Sequence, residues 1–109
     1  MHGEALSTLS THVLDTATGE PAVDIEVHLA RSTDDGWEHV FEARTDDDGR
    51  AGGFGDLGSG TYRLGFETGA YGNEFYPFVH VVFVVEETRD HYHVPLLLSP
   101  FGYTTYRGS

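Results

Sequence analysis

Seven histidines, six arginines and eighteen carboxylates are the groups of this 109-residue chain that can move protons or hold charge. Four stretches place them where they could act. His12 lies in Ser10-Thr11-His12-Val13-Leu14-Asp15, between β-formers. A histidine in such a run is ordinarily a surface or satisfied core residue, and it gains a chemical role only with a partner from elsewhere in the fold. Its use would be as a general base, because an unperturbed imidazole titrates near neutrality. His91-Tyr92-His93 offers such a partner: residues i and i+2 of a strand project to one face, so the two imidazoles would be neighbours. They could also begin a zinc site, with His80 on the adjoining strand as third ligand. No other ligand-spaced cluster supports a metal, and none is expected. Arg50 follows the turn Asp48-Gly49. Most turn arginines are merely solvated, but a fixed one could polarise a carbonyl or hold an anion bidentately. The chain closes on Tyr106-Arg107-Gly108-Ser109, which brings a phenol, a guanidinium and a carboxylate directly after a β-rich run. Termini are usually plain polar tails; this one could line a pocket.

The groups that are missing narrow the chemistry. All six basic residues are arginines, so Schiff-base chemistry on lysine is excluded. Cysteine is absent too, which removes thiolate nucleophiles, disulfides and Cys zinc sites. The net charge of −12 would repel a nucleic acid, whose binding depends on basic residues neutralising phosphates. The longest apolar stretch, Phe75 to Val85, is broken by His80 and is far too short to span a bilayer. No membrane partner is therefore expected, and no cofactor. The first residues, MHGEALSTLSTHV, lack a basic segment followed by an apolar one, so the cytoplasm is the expected compartment.

The elements that must position these residues read as strands punctuated by turns. A length of 109 residues suits one domain with one core. Leu6 to Leu14 is a first strand, ended by the turn cluster Asp15-Thr16-Ala17-Thr18-Gly19. Val23 to Ala30 alternates, with Val23, Ile25, Val27 and Leu29 on one side and Asp24, Glu26 and His28 on the other. Trp37 to Arg44 follows the Asp34-Asp35-Gly36 turn. Asp46-Asp47-Asp48-Gly49 opens a Gly-rich run to Gly60, and Thr61 to Glu67 alternates again. Gly69 to Tyr76 is expected to hold a short helix ending before Pro77. Phe78 to Val85 and Tyr92 to Leu98, joined by Glu86-Glu87-Thr88-Arg89-Asp90, read as a long hairpin, and Gly102 to Tyr106 as a last strand. About seven strands at this spacing mean an all-β sandwich or barrel.

Several of these stretches resemble a known family. Leu9-Ser10-Thr11-His12-Val13-Leu14-Asp15 with Gly19 and Pro21, and the closing HYHVPLLLSPFGYTTYRGS, are similar to the two ends of the 5-hydroxyisourate hydrolases. The middle runs TDDDGR and FYPFVHVVFVV are similar as well, so the resemblance covers nearly the whole chain, 1–109. It implies a transthyretin-like two-sheet antiparallel β-sandwich with one short helix, paired through edge strands into dimers that pack as a homotetramer, a dimer of dimers. A central channel would hold the active sites. It also implies His12, Arg50 and His93 as catalytic residues and Tyr106, Arg107, Gly108 and Ser109 as substrate-binding ones. The implied reaction is hydrolytic opening of a lactam in a purine-derived small molecule during urate catabolism; which histidine acts as base stays open. Phe78, where the family commonly has an acidic residue, the Gly-rich stretch 52–60 and the loss of lysine depart from the pattern. A carrier of a small aromatic ligand, sharing the fold without the chemistry, is the alternative.

Overall fold

A computed structural model describes residues 5–109. Among the described residues ten strands and one helical turn follow in chain order: β1 (Thr8–Asp15), β2 (Glu20–Pro21), β3 (Glu26–Thr33), β4 (Gly36–Arg44), β5 (Arg50–Ala51), β6 (Gly60–Phe66), α1 (Thr68–Tyr71), β7 (Val79–Val85), β8 (His91–His93), β9 (Leu96–Ser99) and β10 (Gly102–Thr105). One sheet has the order β4-β3-β6-β7 and is antiparallel throughout. The other is built around β1. There β2 and β5 pair with β1 antiparallel, β8 and β9 pair with it parallel, and β10 closes the edge against β9.

Period-2 patterning explains why these strands stack into two layers. Leu9, Thr11 and Val13 of β1, Val27 and Leu29 of β3, and Tyr62, Leu64 and Phe66 of β6 are all buried. They alternate with polar or half-exposed neighbours, so each sheet has one apolar face. The two faces share a core with Val79, Val81 and Val85 of β7 and Leu96 and Leu98 of β9. Each such side chain contributes about 1.5–3 kcal/mol when fully withdrawn from water. The all-β sandwich expected from the sequence is the architecture observed.

Four local expectations are corrected. The runs 78–85 and 92–98 do not form a hairpin. β7 pairs with β6 in one sheet, while β8 and β9 lie along β1 in the other, so the chain crosses between layers at Glu86 to Asp90. The second run is also two strands rather than one: Pro95 has no N–H to give a ladder, and pairing lapses between His93 and Leu96. The helix is a single turn, starting at Thr68 and stopping at Gly72. Beyond it the Asn73 side-chain oxygen accepts from the amides of Phe75 and Tyr76, which turns the chain away before Pro77. Val23, expected on the buried side of its strand, is exposed ahead of β3. Asp24 has a φ of 63°, and that kink breaks the alternation there.

Candidate active site

The outer face of the β1 sheet collects the chemistry. Residues 9, 11 and 13 of β1 point into the core, so Thr8, Ser10, His12 and Leu14 point out. On one side β5 sets Arg50 opposite His12. On the other, β8 runs parallel to β1 with His91 opposite Thr8 and His93 opposite Ser10. Tyr92, between them, is buried and turns its hydroxyl to the Glu86 backbone. The expected neighbourhood of His91 and His93 is therefore present, with His93 opposite the outward position next to His12 and His91 one position further along.

Arg50 is delivered by a tightly organised turn. The Asp46 carboxylate accepts from the amides of Asp48 and Arg50 at 2.9 and 3.0 Å, and the Asp46 amide donates to the Arg50 carbonyl at 2.8 Å. These bonds, with the Arg50 amide foremost, hold the Asp46 carboxyl below its usual pKa. Gly49 completes the turn at φ 76°, and a Cβ there would stand 2.5 Å from the Val13 carbonyl oxygen. Only glycine fits, because the turn lies directly on β1 and its carbonyl accepts from the Val13 amide. Three of the other guanidiniums are engaged elsewhere: Arg44 with Asp24 and Glu26, Arg31 with the Ser59 carbonyl, Arg63 over the Trp37 ring. Arg50 is exposed, and its positive charge disfavours the His93 imidazolium.

His93 is the best-fixed group of the site. Its Nδ1 lies 2.8 Å from the Ser10 hydroxyl, which is also 3.0 Å from Nε2 of His91. His91 Nδ1 in turn lies 2.6 Å from the Thr8 hydroxyl. Burial lowers the His93 pKa, and the charges of Arg50, His12 and His91 lower it further; a hydrogen bond to the Ser10 backbone opposes them. The imidazole is thereby kept neutral and able to accept a proton near pH 7.

The tail divides. The Gly108 amide donates to the His93 carbonyl at 2.7 Å, and a Cβ at Gly108 would stand 2.8 Å from Cδ2 of the imidazole. Ser109 follows immediately. Tyr106 and Arg107 turn instead toward β7, into a shallow groove with Val82, Val84, Tyr92 and Val94. Within one chain the structure thus joins His12, Arg50, His93 and Gly108, but not the side chains of Tyr106 and Arg107.

His80 is not a partner of His91 and His93. It lies on β7 in the other sheet, its ring folded over Gly65 opposite His28. The zinc combination considered from sequence is thus dispersed over two layers. Among the described residues the group with ligand atoms close enough for a cation is Glu26, His28 and Glu42. There the carboxylates flank His28 at 2.8 and 3.5 Å, and Arg44 already pairs with Glu26 at 3.0 Å. Sequence reasoning missed Thr8 and Ser10; their alternation with His12 along one strand was the available signal.

Comparisons with known proteins place the chain among related sequences and folds. A family model described as the HIUase/Transthyretin family matches residues 9–108. The 5-hydroxyisourate hydrolase of Deinococcus radiodurans is 46% identical over 113 residues, covering 93% of this chain and 95% of that protein. Among solved structures, 5-hydroxyisourate hydrolase of Klebsiella pneumoniae superposes with a TM-score of 0.84 at 38% identity, over 94% of this chain and 99% of that one. Sea bream transthyretin in complex with thyroxine is similar too, with a TM-score of 0.85 at 33% identity over 92% and 93% of the two chains.

Proposed function

This chain belongs to the HIUase/Transthyretin family, and from that premise we propose that it is a hydrolase opening the lactam ring of 5-hydroxyisourate in the breakdown of urate. The observation that carries this reading is the convergence of His12, Arg50 and a His93 kept neutral on one sheet face. A carrier has no need of a base beside a guanidinium.

In the proposed mechanism His93 takes a proton from water through Nε2, and the water oxygen attacks the lactam carbonyl carbon. Arg50 stabilises the negative charge that develops on the carbonyl oxygen. As the tetrahedral intermediate collapses, the carbon–nitrogen bond breaks, and the leaving nitrogen takes a proton from His93 or His12. The products are a carboxylic acid and a free N–H, so water is the only co-reactant and no metal or cofactor is required. Gly108 and Ser109 wall the substrate from the His93 side.

The catalytic unit is proposed to be residues 1–109 as one domain, acting in the cytoplasm as a homotetramer. β7 and β10 are the outermost strands of their sheets, and Val82 and Val84 of β7 are more than half exposed, at 56% and 57%. Such edges would pair between chains. Two dimers would then face their histidine surfaces across a channel, where Tyr106 and Arg107 of a neighbouring chain would meet the substrate.

The test is the ultraviolet signal of 5-hydroxyisourate, generated from urate by urate oxidase. Addition of the protein should shorten its lifetime well below the spontaneous value; an unchanged lifetime with folded protein would end the hydrolase reading.

A further inference from the structure

The hydroxyls of Thr8 and Ser10 and the imidazole of His91 lie outside the proposed catalytic trio, yet they join His93 in one continuous hydrogen-bonded chain along the β1–β8 seam. Its links measure 2.8 Å from His93 Nδ1 to Ser10 Oγ, 3.0 Å from Ser10 Oγ to His91 Nε2, and 2.6 Å from His91 Nδ1 to Thr8 Oγ1. Each link can point either way, because hydroxyls and neutral imidazoles both donate and accept. The outer end cannot. There the acceptor within reach of the Thr8 hydroxyl is the Asp90 carbonyl, at 3.5 Å. A carbonyl only accepts, so the Thr8 proton is drawn outward, and a single direction then satisfies every group from Thr8 back to His93.

We infer that Ser10 and His91, anchored by Thr8, are positioning residues that fix the tautomer of His93, holding its proton on Nδ1 and leaving the lone pair of Nε2 free for water. The proton on His93 Nδ1 goes to Ser10 Oγ. The Ser10 hydroxyl proton goes to His91 Nε2. The proton of His91 therefore sits on Nδ1 and goes to Thr8, whose own proton faces the Asp90 carbonyl. Which ring nitrogen of a histidine is basic is set by the bond that the other one makes. The inference rests on the hydrolase reading for its catalytic consequence, but the tautomer can be measured without any turnover.

The charged and titratable groups facing His93 are Arg50 from β5, His12 from β1 and His91 beside it on β8. Of these only His91 sits in the chain, so replacing it isolates the effect. In His91→Phe the Ser10 hydroxyl loses its acceptor and turns round to donate to His93 Nδ1, which pushes the ring proton to Nε2. In His91→Gln an amide oxygen can take the Ser10 proton, and the original direction is kept. In the double variant His91→Phe/Ser10→Ala the misdirected donor is gone, so no hydroxyl at residue 10 pushes the ring proton to Nε2.

The experiment is nitrogen-15 NMR of the histidine rings in the intact protein at a pH where His93 is neutral, paired with kcat and KM on 5-hydroxyisourate. Wild type and His91→Gln should carry the His93 proton on Nδ1. His91→Phe should carry it on Nε2 and lose about tenfold in kcat with little change in KM, the scale of one hydrogen bond. Adding Ser10→Ala to His91→Phe should raise kcat again, which a merely structural role for Ser10 would not do. A wild-type His93 protonated on Nε2, or a His91→Phe protein with an unaltered tautomer, would overturn the inference. A wild type with the expected tautomer but no hydrolysis would instead remove the hydrolase reading and leave the chain of bonds in place.

Discussion

A solvated imidazole is divided between its charged and neutral forms near pH 7, and at His93 burial and the Arg50 guanidinium shift that balance toward the neutral base. The same contact gives a signed expectation. A positive charge beside an imidazole penalises the imidazolium, so Arg50→Ala should let the His93 pKa rise. The acid limb of kcat/KM should then move to higher pH in the variant, together with a fall in kcat of about a hundredfold to a thousandfold from the lost oxyanion partner. A pH–rate series on both proteins checks this; a limb that stays put or moves to lower pH would separate Arg50 from His93. At this scale the sequence was partly readable. His12, His93 and Arg50 stood out because their residue types are scarce or well spaced. Ser10 and Thr8 did not, since serine and threonine abound in β-strands and only the ladder register reveals what faces them.

Elements decide where those residues end up, and here local pattern was a good guide to strands but a poor one to partners. The alternation in 23–30 put Ile25, Val27 and Leu29 on the buried side, where they are found, because period 2 is a property of the strand itself. The supposed hairpin failed because two consecutive β-runs joined by five residues look alike whether the chain turns back or crosses to the other sheet. His80 was misplaced with it. The Asp46–Gly49 turn shows the opposite case, where sequence and structure agree closely on a turn that presents Arg50 beside β1. Gly49→Ala would combine a left-handed backbone, worth roughly 1–2 kcal/mol, with a Cβ 2.5 Å from the Val13 carbonyl. The variant should lose more than about 2 kcal/mol in urea unfolding. It should also lose activity beyond what its folded fraction explains, because Arg50 is displaced. An unfolding midpoint equal to that of wild type would show that the turn does not press on β1 as described.

For the whole molecule, charge is the dominant fact. A formal net charge of −12 on 109 residues without lysine means that bringing four chains together also gathers four like-charged bodies. Salt screens that repulsion, with a Debye length of about 10 Å at 0.1 M. Sedimentation velocity should therefore find a mass of four chains whose share grows from low to high salt. A monomer at every salt concentration would mean that the β7 and β10 edges stay unpaired and that Tyr106 and Arg107 never reach a neighbouring site. Assembly was the property least legible in composition or periodicity, since neither says what an exposed edge will meet; only resemblance pointed to it.

The central claim is that three residues gathered on the outer face of the β1 sheet carry out hydrolysis. The most direct measurement follows the decay of fresh 5-hydroxyisourate with wild type and with His12→Ala, Arg50→Ala and His93→Ala, each shown to be folded. Fast decay with wild type, slowed by about a hundredfold or more in the Arg50 and His93 variants and clearly reduced in the His12 variant, is the predicted result. Variants that keep the wild-type rate would contradict the account, and a wild type no faster than spontaneous decay would point to a carrier built on the same sandwich.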